Sequence, residues 1–149
     1  MVPSDLLLKS MNAAHRVVLA VSFGRLGWTA GRMPVLELTT TGRRSGREHT
    51  VLLTSPIQEG STLVVVASRG GDDRSPAWFL NLVANPAVGV ALQGHPARPM
   101  HARVAGPDER ERLWPEVTAR YRNYAEYQTR TDRQIPLIML ESPAPTPSA

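Results

Sequence analysis

The sequence contains no cysteine, which excludes disulfides, thiolate metal sites and cysteine nucleophiles and leaves the fold dependent on its core. Lysine is nearly absent too: Lys9 is the only one among seventeen basic residues, the rest being arginine. Arginine's planar fork favours phosphate and carboxylate recognition over general solubility, so an anionic partner is implied. Aromatic residues make up 5% of the chain, and no basic stripe interleaved with aromatics is present. The arginines are instead mixed with acids, as in the "DERER" run Asp108 to Arg112, and no nucleic-acid partner is expected. His15, His49, His95 and His101 lack metal-ligand spacing, and no metal site is expected.

No long apolar run exists either. The stretch from Asp5 to Trp28 is interrupted by Lys9, His15 and Arg16, well short of the ~20 apolar residues of a membrane span, and it does not read as a signal peptide. Leu7, Met11, Ala14, Val18 and Val21 follow the spacing of an amphipathic helix, with Ser4 or Asp5 as N-cap. Such a helix packs on the body of the protein, on a partner subunit or on a membrane surface. The expected location is the cytoplasm, with peripheral membrane contact through this helix and a homodimer both left open.

With 149 residues, 42% of them hydrophobic, the chain suits one domain with a substantial core. We divide it into an N-terminal helix and linker over 1–34, a domain over 35–141, and a Pro- and Ser-rich tail over 142–149 expected to be disordered. "VLELTTT" and "EHTVLLTS" read as strands joined by the turn "GRRSG", and "PIQEGS" as a further turn. "TLVVVAS" is a continuous β-branched run, expected to be buried on both faces and central in the sheet. Ser75 and Pro76 read as the N-cap and first position of a short helix that Pro86 ends. "AVGVALQ" and "RPMHARVA" form a second hairpin, a helix with a break before Pro115 follows, and "IPLIML" is the last strand. About six mostly antiparallel strands with flanking helices predict an α+β fold, an antiparallel sheet or barrel with helices outside.

Three stretches carry chemistry. The turn "GRRSG" places Arg43, Arg44 and Arg47 close to the Ser45 hydroxyl, a combination that suits phosphate or carboxylate, although a charged hairpin tip also keeps a sheet edge soluble. Ser68, Arg69, Gly70 and Gly71 lie where a strand end meets a helix start, a common ligand position; Trp78 and Asn81 follow on that helix. All three tyrosines, Tyr121, Tyr124 and Tyr127, are spaced by three, which suits either a packing stripe or a pocket wall whose hydroxyls meet a ligand. No Ser-His-Asp, paired-carboxylate or P-loop arrangement is present, so an enzyme built this way takes its chemistry from a cofactor.

The stretches "LTTTGRRSG", "VVVASRGG", "SPAWFLNLVANPAV" and "YRNYAEYQTRTDRQIPL", in that order between about Leu36 and Leu140, resemble the deazaflavin-dependent nitroreductase-like proteins of actinobacteria, which use coenzyme F420. The resemblance implies a split β-barrel, FMN-binding split-barrel-like, with the deazaflavin in a groove and its tail of phosphate and glutamates on basic residues. It implies that Arg43, Arg44 and Ser45 hold the tail and that the segment His49, Thr50, Val51, Leu52, Leu53 and Thr54 lies along the cofactor. It further implies contacts from Val66, Ala67, Ser68 and Arg69 and from Ala77, Trp78 and Asn81, with Tyr124 and Tyr127 near the ring. The chain departs from the family where the latter often reads Arg-x-x-Pro-Leu after the turn. Here His49 and Leu52-Leu53 stand instead, which bears on tail affinity and ring seating.

The function implied is hydride transfer from reduced F420 to a nitro-aromatic, quinone or activated enone. Tyr124, then Tyr127, is expected to orient the acceptor and protonate it, with Tyr121 furthest toward the core. The alternatives are an FMN-dependent split-barrel oxidoreductase and a non-catalytic F420-binding protein.

Overall fold

The computed structural model describes residues 29–30, 33–93 and 95–143. The amphipathic-helix expectation at Leu7 to Val21 and the tail beyond 143 lie outside the described residues. Eight strands run in chain order: β1 (Thr29–Ala30), β2 (Met33–Thr41), β3 (Glu48–Thr54), β4 (Ile57–Glu59), β5 (Thr62–Val66), β6 (Ala87–Ala91), β7 (Arg98–Val104) and β8 (Leu137–Glu141). Among the described residues three α-helices accompany them: α1 (Ala77–Ala84), α2 (Pro107–Arg120) and α3 (Arg122–Thr129). Every pairing is antiparallel, in the order β1-β2-β6-β7-β8-β5-β4, and β3 pairs with β2 from Val35↔Thr54 to Thr41↔Glu48.

Alternation along the strands builds two cores. Leu63 and Val65 of β5, with Ile138 and Leu140 of β8, join Leu36, Leu38, Val88, Val90, Met100 and Ala102 inside the curled sheet, where Trp78 and Leu82 of α1 pack. Val64 and Val66, with Leu137 and Met139, face the other way, beneath Leu113 and Val117 of α2 and Tyr124 of α3. The period of two makes each strand serve both layers, which is why β5 is apolar and buried from Leu63 to Val66. Each such side chain contributes on the order of 1.5–3 kcal/mol of burial.

The structure changes several expectations. β5 is not central: it lies next to the edge strand β4, and β7 and β8 occupy the middle of the order. Continuous apolarity reports burial on both faces, which α2 and α3 supply, and not distance from an edge. The segment read as a plain turn contains β4, and α1 begins at Ala77 with Pro76 in the cap position and no side-chain cap bond. α2 runs through Pro115 without interruption and ends at Tyr121, whose φ of −134° is extended. A proline removes one helical hydrogen bond. Here Leu113 and Val117 are buried on either side of it, and Arg112 is paired with Glu59 on β4 at 2.9 Å. Arg103 on β7 ties the layers together, donating to Glu109 of α2 at 2.6 and 2.8 Å and to Glu141 of β8 at 2.7 and 3.2 Å.

Candidate functional site

The β2–β3 turn closes through Gly42 N–H donating to Arg47 O at 2.7 Å and Gly46 N–H donating to Gly42 O at 2.9 Å. A Cβ on Gly42 would fall 2.6 Å from Ser45 Oγ and 2.9 Å from His49 Nε2, so the turn requires glycine there. Arg43, Arg44 and Arg47 are exposed, and none takes part in an ion pair among the described residues. Asn81 of α1, 5% exposed, accepts through Oδ1 from the Arg43 backbone N–H at 3.2 Å and from Arg43 Nη1 at 3.0 Å. Its amide donates to Thr40 Oγ1 at 3.4 Å. Ser45 Oγ accepts the Arg47 N–H at 3.2 Å and lies 3.5 Å from His49 Nε2.

From this turn β3 runs away toward α3. His49 is exposed, Thr50 shares a 2.8 Å hydroxyl bond with Thr39, Val51 and Leu53 pack on the inner core, and Leu52 is buried. Thr54 Oγ1, at the far end, lies 3.1 Å from Tyr124 Oη.

After β5, Val66, Ala67 and Ser68 are buried, and the next three residues are left-handed: Arg69 at φ 47°, Gly70 at 64° and Gly71 at 85°. A Cβ on Gly71 would come within 2.6 Å of Tyr127 O, so the loop lies flush against the end of α3. Arg69 pairs with Asp72, whose carboxyl is held below its usual value by the Arg74 N–H and by the Arg69 and Arg74 charges. Arg130 donates to Gly70 O at 3.2 Å, and Arg133 donates to the carbonyls of Ala67, Ser68 and Asp72. Ala77 is exposed at the start of α1, whereas Trp78 is an inner-core side chain.

The tyrosines form an edge-to-face row, with ring centroids 6.5 Å apart for Tyr121–Tyr124 and 6.0 Å for Tyr124–Tyr127. The expectation that Tyr121 sits furthest inward is corrected: Tyr124 is buried, and Tyr121 and Tyr127 are half-buried. Tyr121 lies between α2 and α3 in extended conformation, so helical spacing does not set its direction. Burial pushes the Tyr124 hydroxyl above the usual tyrosine value, which keeps it protonated. Sequence reasoning passed over Arg130, Arg133 and Thr40. All three stand in motifs given above, but nothing in spacing says that a guanidinium will be received by main-chain carbonyls.

The site therefore joins exposed, unpaired cations at one end to a strand of hydroxyls and half-buried apolar side chains. These donors fit a ring system with an anionic tail. A family model described as F420H(2)-dependent quinone reductase matches residues 14–142. An F420H(2)-dependent quinone reductase of Mycobacterium tuberculosis (strain ATCC 25618 / H37Rv) is 38% identical over 132 residues, covering 85% of this chain and 86% of that one. The solved F420-H2 dependent reductase FDR-A is 40% identical, with a TM-score of 0.64 over 72% of this chain and 94% of that one. A second solved structure, described as a domain-swapped dimer, is 35% identical, with a TM-score of 0.65 over 89% of this chain and 99% of that one. The curled antiparallel sheet is thus a split β-barrel, and the chain belongs to the F420H(2)-dependent quinone reductase family.

Proposed function

We propose that this chain carries a hydride from reduced F420 to a quinone, with the cofactor tail on Arg43, Arg44 and Ser45 and the ring system along β3. Family membership makes F420 the cofactor and the protein an oxidoreductase. The observation that carries the residue assignment is the exposed trio Arg43, Arg44 and Arg47, without ion-pair partners among the described residues, on a turn anchored by Asn81 through Arg43. When bound, F420 supplies the hydride.

The chain's own work is positioning. Val51 and Leu53 offer an apolar flank, Thr50 and Ser68 offer hydroxyls, and loop 67–72 and α1 bound the groove together with Val66, Ala77 and Trp78. Aligning ring and acceptor at near-attack distance, and keeping water out, is where such a site gains its rate. Tyr127, half-buried at the end of α3, takes the role expected first of Tyr124, since the Tyr124 hydroxyl is buried and bonded to Thr54: it orients the acceptor and gives it a proton. Tyr124, protonated and engaged with Thr54, braces that end of β3. Nitro-aromatics and activated enones share the electron-poor character of quinones and are further acceptors of this site.

Fluorescence titration with F420 and with FMN tests the cofactor assignment, and the return of oxidised-cofactor absorbance on adding a quinone tests turnover. We expect F420 to bind at about micromolar or tighter, with FMN weaker, since a mononucleotide leaves part of the arginine turn unmatched. Equal or tighter FMN binding would refute the assignment. We also propose a homodimer, given the domain-swapped relative and the exposed Leu80 and Val83 on α1; light scattering of the purified chain decides that point. Among the described residues no helix is long and apolar enough to cross a membrane.

A further inference from the structure

Arg133 stands in the connection between α3 and β8, and its main chain bonds there to Thr131 and Gln128, yet all its side-chain hydrogen bonds go to a different loop. Nε donates to Asp72 O at 2.9 Å, Nη1 and Nη2 to Ala67 O at 3.2 Å each, and Nη2 also to Ser68 O at 2.9 Å. Each acceptor is a main-chain carbonyl, and Arg133 takes part in no ion pair among the described residues. Burial disfavours the cation and the nearby Asp72 and Asp73 charges favour it, with no carboxylate bonded to it, so these four bonds must offset the remaining cost.

That arrangement does something packing alone does not. A trans peptide sets its C=O and N–H on opposite sides, so drawing the carbonyls of Ala67, Ser68 and Asp72 toward Arg133 turns the N–H groups of Ser68, Arg69 and Asp73 away from it. Three peptide planes are fixed on either side of the left-handed run Arg69–Gly71, whose conformations are costly for a non-glycine residue such as Arg69. Arg130 on Gly70 O and the close approach of Gly71 to Tyr127 O pin the middle of the same loop.

We infer that Arg133 is a positioning residue for cofactor binding: it holds loop 67–72 in its binding conformation before the ligand arrives, so that binding does not bear the cost of ordering it. The inference rests on the F420 reading above.

The test is to compare the wild type, Arg133→Ala and Arg133→Lys in two measurements below their melting temperatures: F420 affinity by fluorescence titration, and amide hydrogen exchange in the unliganded protein. We expect Kd to rise about ten- to a hundredfold in Arg133→Ala, the scale of one or two charge-assisted hydrogen bonds. A smaller rise is expected in Arg133→Lys, whose single ammonium cannot span three carbonyls. Exchange should quicken in 67–73 and stay unchanged in β7 and β8. Millimolar guanidinium, against equal sodium chloride, should restore part of the alanine variant's affinity. Unchanged Kd, or faster exchange spread evenly over the sheet, overturns the inference; if the alanine variant does not fold, the lysine variant is judged by the same two readouts. Absence of F420 binding in the wild type is the failure of the cofactor reading instead, and unchanged exchange in 67–73 of the variants is the failure of this one.

Discussion

Asn81 Oδ1 accepts both the backbone N–H and the guanidinium Nη1 of Arg43, so one buried amide on α1 sets the conformation and the direction of the arginine turn. Replacing it by alanine strands a backbone donor and frees the Arg43 side chain. Asn81→Ala should destabilise the fold by about 1–3 kcal/mol and weaken F420 binding about fivefold or more. Thermal melting and fluorescence titration measure the two effects. A stability loss with full affinity would show that Arg43 does not meet the ligand.

Arg44 has no bond to any described residue, which makes it the complementary case. Arg44→Ala should leave the melting temperature within about a degree, while F420 affinity falls by roughly 1–3 kcal/mol. The wild-type affinity should fall as salt rises and the variant's less so, since exposed charges are screened. A titration series in sodium chloride reads both; a variant with the wild-type salt slope removes Arg44 from the site.

For the tyrosines, stability and turnover separate the roles. Tyr124→Phe leaves Thr54 without its hydroxyl partner and should cost about 1 kcal/mol of stability, with a modest effect on rate. Tyr127→Phe should keep stability and lower quinone turnover about tenfold to a hundredfold, the loss of an oriented proton donor. Steady-state rates at saturating reduced cofactor decide between them. Unchanged rates in both variants would leave the proton to solvent.

Acid stability should report the Arg103–Glu109 contact. The hydrogen bonds from Arg103, then that from Gly106 N–H, hold the Glu109 carboxyl at about 2, below its ordinary 4.5. A lowered folded-state value means the contribution is complete above pH 4.5 and is lost as pH falls toward 2. Glu109→Gln should therefore be less stable than wild type near neutrality, by about 0.5–1 kcal/mol given the solvent around the pair, and lose less of its stability across that acid window. Urea unfolding at a series of pH values checks this, and parallel pH profiles would contradict it.

Gly71→Ala should be more damaging than its size suggests. The position has φ 85° and a Cβ there meets Tyr127 O at 2.6 Å, so the loop must lift from α3. A loss of about 1–3 kcal/mol in urea unfolding is expected, together with weaker F420 binding.

The strands could be read from the sequence because their signals are local: alternation in Val35–Thr41, the β-branched run of β5, and the glycines of the 42–46 turn. The position of β5 near an edge could not, since both faces of a strand can be buried wherever helices cover it. The helix end at Tyr121 rather than before Pro115 was likewise hidden, because Leu113 and Val117 on either side of the proline are buried against Val64, Leu137 and Met139, contacts distant in the chain. At the site, the arginine turn stood out by composition alone. Its dependence on Asn81, and the reach of Arg133 to Ala67, Ser68 and Asp72, are long-range hydrogen bonds to which no periodicity or motif spacing points.

β8, the last strand among the described residues, is inserted between β7 and β5, pairing Leu63 with Leu140 and Val104 with Ile138. During synthesis, the two neighbours of that slot leave the ribosome early and wait with open, apolar edges until Leu137–Glu141 follows. The proposed cofactor groove cannot close before Leu137–Glu141 has been made, because loop 67–72 and α3 both hang from strands that β8 joins. A chain cut short twenty residues before β8 would carry every arginine of the turn, an incomplete version of the proposed groove, and two edges primed for aggregation.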